Sequence, residues 1–177
     1  MERLLLDACV VINVFAGGIL RSLSTDAGSE LIVVEQVTAE VLYVDDEGDD
    51  REALEWEPLS AEGTVTAVSL SGAEELTTFL SLVPRLGDGE AASLAAARHR
   101  GLVLATDDGL ALKIAADGDP VVETVTTPDI LSWWADAVDA DDAQLASVLQ
   151  RIETRARYRP PNTHPLAPWW SRASSPS

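Results

Sequence analysis

Twice in this chain a short apolar run ends abruptly in aspartate: RLLL before Asp7, and LVLAT before Asp107 and Asp108. Runs of this kind are the pattern of strands buried on both faces, as in a parallel sheet. A charge placed directly at such a strand end is costly unless something uses it. Parallel strands also need crossovers, and helix-like segments do follow each run. LIVV at 31–34, VTAVSL at 65–70 and VVETV at 121–125 supply the further strand candidates. Alternation of strands with helices favours an α/β fold with a central, mostly parallel sheet flanked by helices.

The run CVVINVF at 9–15 reads as strand or helix and is stopped by Gly17 and Gly18. VTAEVLY at 37–43 suits a helix, with Val37 and Val41 on one face and Glu40 on another. Ser71 and Glu74 form a capping pattern ahead of a helix reaching Val83. GEAASLAAARHRG predicts a helix from Glu90 to a Gly101 stop. GLALKIAA at 109–116, PDILSWWADAV at 128–138 and a stripe of Leu145, Val148, Leu149 and Ile152 predict three more. The expected organisation is a domain over 1–130, a helical extension over 131–157, and a Pro-, Ser- and Trp-rich tail over 158–177. That tail reads as extended or disordered.

Thirty acids against twelve bases give a net charge of −18, so a basic polyanion-binding face is disfavoured. Residues 45–57 hold eight acids and one base and read as a solvated loop and helix start. Lys113 is the only lysine, and such a balance also suits solubility in high salt. Cys9 is the only cysteine, which excludes an intrachain disulfide and weakly favours a reducing compartment. Asp7 and Asn13 interrupt the N-terminal apolar run, and no other run approaches a membrane span; a cytoplasmic protein with no membrane association is expected.

In an open parallel sheet, ligands bind beyond the carboxyl ends of the strands. Asp7 and Asp107 end strands there, while Glu40 and Glu90 sit on neighbouring helices. Clustered carboxylates without a His–Cys set suit Mg²⁺ or Mn²⁺, ions that orient water and neutralise a phosphodiester. The segments LLLDACVVINVF, VTAEVL and GDGEAASLAAARHRGLVLATDDGLALKIA resemble the PIN domain, the metal-dependent ribonuclease fold of VapC-type toxins. The resemblance spans roughly residues 3–130. It implies a PIN-like three-layer sandwich, an acidic quartet of Asp7, Glu40, Glu90 and Asp107, with Asp108 as helper or alternative, and bound Mg²⁺ or Mn²⁺. It further implies RNA cleavage leaving a 5′-phosphate and a toxin held by a cognate antitoxin, with a homodimer allowed. Many members carry a hydroxyl or amide residue where this chain has Cys9.

Other residues have competing readings. Asp88 is preferred as a helix N-cap over a group behind the ligands. Thr106 either positions the scissile phosphate or is structural, and Asn13 either orients Asp7 or faces solvent. Arg151 and Arg155, one helical turn apart near Arg157 and Arg159, are the one phosphate-contacting patch on offer, against a plain solvated helix face. The Trp133–Trp134 and Trp169–Trp170 pairs read as core or docking aromatics, and His99 and His164 as too few and too far apart for a metal site. A catalytically idle PIN-like module that binds a protein partner is the alternative function. A phosphohydrolase with Asp7 as nucleophile ranks below both, because Cys9 stands where a second Asp is wanted. Net acidity predicts that cleavage tolerates or needs more salt than is usual for a nuclease, since screening weakens long-range repulsion of RNA. A salt titration of cleavage checks this: activity falling steadily from low salt upward contradicts it.

Overall fold

A computed structural model describes residues 3–45 and 51–174. The first apolar run forms β1 (Arg3–Leu6), and Asp7 turns the chain directly into α1 (Ala8–Ala16). Next come α2 (Leu20–Thr25), β2 (Glu30–Val34) and α3 (Glu35–Glu40). A hairpin of β3 (Tyr43–Asp45) and β4 (Arg51–Ala53) precedes α4 (Trp56–Ala61), β5 (Thr66–Val68) and α5 (Ala73–Leu82). Then come α6 (Asp88–Arg100), β6 (Val103–Ala105), α7 (Gly109–Ala116), β7 (Thr124–Val125) and α8 (Thr127–Ala137). The chain ends in α9 (Asp142–Arg151), a π-helical turn over Ile152–Ala156, and α10 (Ala167–Ala173).

The central sheet runs β5-β2-β1-β6-β7, and its pairings are parallel. Helices flank it, so the expected α/β sandwich with a central parallel sheet is what the chain adopts. Successive strands step outward on one side of β1 and then resume on the other with β6. The order therefore reverses between β1 and β6, the crevice where open α/β sheets bind ligands. The register sets Leu6 beside Ala105, and the Asp7 amide donates to the Ala105 carbonyl at 3.0 Å. The two aspartate-bearing strand ends are thereby brought side by side.

Leu4, Leu5 and Leu6 are fully buried, as a strand covered on both faces requires. One contiguous apolar cluster joins them to Ala91–Ala97 of α6, Ile130 and Leu131 of α8, Leu149, Ile152 and Trp170. The C-terminal third is thus packed on the same core as the sheet.

Local expectations fail where tertiary contacts decide. The helix expected over 37–43 ends at Glu40, and Tyr43 opens the β3–β4 hairpin instead. Arg155 holds that hairpin: its guanidinium donates to the Asp45 carbonyl (3.1 Å) and to the Ala16 carbonyl (3.1 Å), and pairs with Glu52. The acidic stretch 45–57 is therefore partly strand; its residues 46–50 lie outside the described residues. In α5 the capping acid is Glu75, not Glu74, accepting from the Ser71 amide and from both sides of Arg100. Asp88 is the first residue of α6 rather than its cap; Gly87 holds the cap position, and Glu90 reaches back to the Gly87 amide at 3.0 Å. Gly101 ends α6 in the left-handed conformation, φ 61°, which glycine adopts without steric cost.

The tail departs furthest from expectation. It folds back as a strap, forms α10 and buries Trp170 completely. The Trp170 indole donates to Glu153 at 2.7 Å, and its ring meets Tyr158 edge-on at 5.8 Å. No helix among the described residues is long and apolar enough to cross a membrane.

Candidate active site

Asp7 sits at the carboxyl end of β1 and caps α1, its Oδ1 accepting the Ala8 amide at 2.8 Å. Oδ2 accepts the Thr106 hydroxyl at 2.9 Å and the Cys9 thiol at 3.5 Å. The residue is 1 % exposed and has no cationic partner among the described residues. Burial pushes its carboxyl up to about 6, the three hydrogen bonds pull it back in part, and the charge of Glu90 raises it further.

Thr106 is wholly buried and ties the two strand ends together, donating to Asp7 while its oxygen accepts the Asp108 amide at 3.2 Å. Its hydroxyl positions the Asp7 carboxylate. Cys9 lies between the strand ends as well: its sulfur accepts the Asp107 amide at 3.4 Å. Burial and the neighbouring charge of Asp7 push its thiol far above the usual range, so it stays protonated and acts as a weak bridging group.

Asp107 turns away from this pair. Its Oδ1 accepts the Thr127 amide (2.9 Å) and the Tyr158 hydroxyl (2.8 Å); its Oδ2 accepts the Asn13 amide group (3.0 Å) and the Thr127 hydroxyl (2.5 Å). The N-terminus of α8 thus receives the carboxylate along the helix dipole. Asn13, 3 % exposed, neither faces solvent nor bonds Asp7; it orients Asp107 and Thr127. Asn13→Ala withdraws a buried donor from the Asp107 side chain and is expected to lower stability by about 1–3 kcal/mol, read as a shift in the urea midpoint. A loss below a few tenths of that size would show that the network is not formed in solution. Asp108 caps α7 through Oδ1, 2.6 Å from the Ala111 amide.

Glu40 is exposed at the end of α3 and lies over Gly89: its Oε2 stands 2.7 Å from the place a Cβ on Gly89 would take. With Gln36, Ala39 and Asp88 it lines a shallow cavity of about 440 Å³. Glu40 therefore lies over Gly89 in the first turn of α6, while Asp7 and Asp107 sit at the paired ends of β1 and β6. Among the described residues no three His, Cys, Asp or Glu side chains are gathered closely enough to hold a metal ion.

The arginines expected to meet phosphate lie elsewhere. Arg155 serves the hairpin and the carboxyl end of α1, its side chain only 10 % exposed. Arg151 covers Gly18, whose φ of 75° and lack of a Cβ leave room for the guanidinium at 3.1 Å from the absent Cβ position. Both line a cleft of about 480 Å³ beside Phe15, Glu52 and Leu59, at the end of α1 opposite Asp7. Two residues of the Asp107 network escaped the sequence reading. Thr127 was signalled by the TTPD cap around Pro128; Tyr158 carried no local signal, since it meets Asp107 across 51 positions of chain.

Among known proteins, the chain matches no family model and no curated sequence.

Proposed function

We propose that this protein is a PIN-like Mg²⁺- or Mn²⁺-dependent endoribonuclease, acting as the cytoplasmic toxin of a pair with a cognate antitoxin and able to form a homodimer. The observation that carries the reading is Asp7: a carboxylate buried at the sheet's reversal point, with no cation beside it among the described residues. A carboxylate buried in this way costs the fold stability and gains from a divalent ion. The donor set fits a hard ion, being all carboxylate oxygen. Asp7 retains one side of Oδ1 without a donor among the described residues, and Asp108 uses only Oδ1 in its cap.

Asp7 and Glu90 would hold the ion, with Glu40 and Asp108 at the rim and Asp107 joining once one of its present donors is released. When bound, the ion activates water and offsets charge on the phosphodiester. Thr106 fixes the Asp7 carboxylate, Cys9 spaces the two strand ends, and α8 anchors Asp107 until it is needed. The antitoxin would cover the acidic crevice, with a guanidinium as the fitting counter-charge.

Purified protein is expected to cut RNA with Mn²⁺ or Mg²⁺ and to stop on chelation. Asp7→Asn and Asp107→Asn should each fall to the chelated background; metal-dependent cleavage unchanged in both overturns the reading. Growth arrest on expression of the chain alone tests the toxin role separately. The saturation of Asp107 by four donors favours a second reading, an idle PIN-like module that binds a protein partner. An idle module shows neither cleavage nor stabilisation by Mn²⁺.

A further inference from the structure

At the end of α1 opposite Asp7, an arginine is firmly seated without a partner. The Arg151 guanidinium lies flat over Gly18, its Nη1, Cζ and Nη2 standing 3.1, 3.3 and 3.4 Å from the place a Cβ would take. Gly18 holds φ 75°, a conformation side chains rarely adopt, and a Cβ there would press on the guanidinium. The fold thus fixes the plane of this group, yet Arg151 has no hydrogen bond or ion pair among the described residues. With thirty acids in the chain, carboxylates are not in short supply. The guanidinium stands on the wall shared by two cavities, of about 480 and about 620 Å³. Small-molecule sites have volumes of this size. In the smaller one Arg21 is paired with Glu62 and Arg155 with Glu52, so Arg151 and Glu55 are its uncommitted charges. Phe15, Leu20 and Leu59 give that cavity an apolar lining. The larger cavity carries Asp26 and Asp141 and disfavours an anion.

We propose that the smaller cleft is a binding site for a small organic carboxylate with an apolar body. The carboxylate takes the two-pronged hydrogen bonds of Arg151, and the body lies on Phe15, Leu20 and Leu59. A planar guanidinium matches a carboxylate in this way, and one held in place beforehand loses little side-chain freedom on binding. One free guanidinium with Glu55 in the same lining suits a single negative charge and not a phosphate dianion. The site is independent of the metal-site reading. It shares no residue with it, and roughly 13 Å of helix α1 separates the two ends.

The test titrates phenylacetate into the full chain at neutral pH, read by saturation-transfer NMR and by calorimetry. Saturable binding in the millimolar range is expected. Arg151→Gln should weaken it about tenfold or more, the loss of a charge-assisted hydrogen-bonded pair. Arg151→Lys should weaken it as well, because an ammonium lacks the fork. Arg172→Gln, at an exposed arginine outside the cleft, should leave it unchanged. Phenethylamine, which keeps the ring and reverses the charge, should not compete. Arg151 is itself exposed, so matched melting temperatures are expected and show that its variants stay folded. No saturable binding of phenylacetate overturns the proposal, as does equal binding by Arg151→Gln or competition by phenethylamine. Phenyl phosphate binding more tightly than phenylacetate overturns the single-charge assignment. The test uses neither Mn²⁺ nor RNA, so its failure leaves the ribonuclease reading standing, and failure of that reading leaves the cleft standing.

Discussion

Metal-free Asp7→Asn protein is expected to melt at a higher temperature than the parent at pH 7.5, and at nearly the same temperature at pH 4. The folded state raises the Asp7 carboxyl from 3.8 to about 6, chiefly through burial. A raised value means that the folded state binds the proton more tightly than the unfolded chain does. Below the unfolded value the group is protonated in both states and imposes no penalty. As pH climbs from there through 6, the unfolded chain gains by ionising before the folded one can, and stability is lost. Above that window the full cost applies, about 3 kcal/mol. Asparagine keeps the shape and the N-cap of α1 but carries no charge, so it escapes that cost. For a chain of this size the gain is roughly 6–10 °C in Tm. Mn²⁺ should reverse the ranking: at a thousandfold excess over its dissociation constant a site-bound ion stabilises the parent by about 4.1 kcal/mol and leaves Asp7→Asn unmoved. Thermal melts between pH 4 and 8, with and without Mn²⁺, check both halves. A gain from Asp7→Asn that is flat across pH contradicts the buried-charge account.

Legibility in the sequence followed the range of the interactions. RLLL, LIVV and LVLAT were readable as sheet because burial on both faces leaves an uninterrupted apolar run. The α6 stop at Gly101 was readable because a left-handed cap favours one residue type. That Asp7 and Asp107 each end a strand was readable from the same apolar runs; that β1 and β6 pair side by side was not, because the pairing joins segments about 100 residues apart. The direction in which Asp107 points was not: it is set by Asn13, Thr127 and Tyr158, which lie 94, 20 and 51 positions away. The β3–β4 hairpin was hidden too. Its strands are three residues each, and what holds them is a distant guanidinium, with the Trp56 indole donating to the Val41 carbonyl just ahead of β3. Glu40 shows the limit from the other side: its helix was foreseen, yet only the missing Cβ of Gly89 explains where its carboxylate lies.

Trp170→Ala should be among the most damaging single substitutions in the chain, though it lies nine residues past the Pro160–Pro161 pair in a segment that reads as tail. Trp170 is fully buried, and removing so large a side chain costs about 3–5 kcal/mol, from lost transfer energy plus the cavity left behind. Two further losses act in the same direction. Glu153 loses its 2.7 Å indole donor, and Tyr158 loses the edge-on ring that holds it over the crevice. The expected result is a drop of roughly 10 °C in Tm. Trp169→Ala, at a half-buried neighbour, should fall well short of that and serves as the control. Because the strap carries Tyr158, Trp170→Ala should also loosen the hydroxyl on Asp107 before the sheet unfolds. Protection of the 158–174 amides from hydrogen exchange should then fall in Trp170→Ala while β1 and β6 stay protected. If Trp170→Ala melts within about 1 kcal/mol of the parent, the strap is not docked in solution, and the four-donor arrangement of Asp107 loses its outer member.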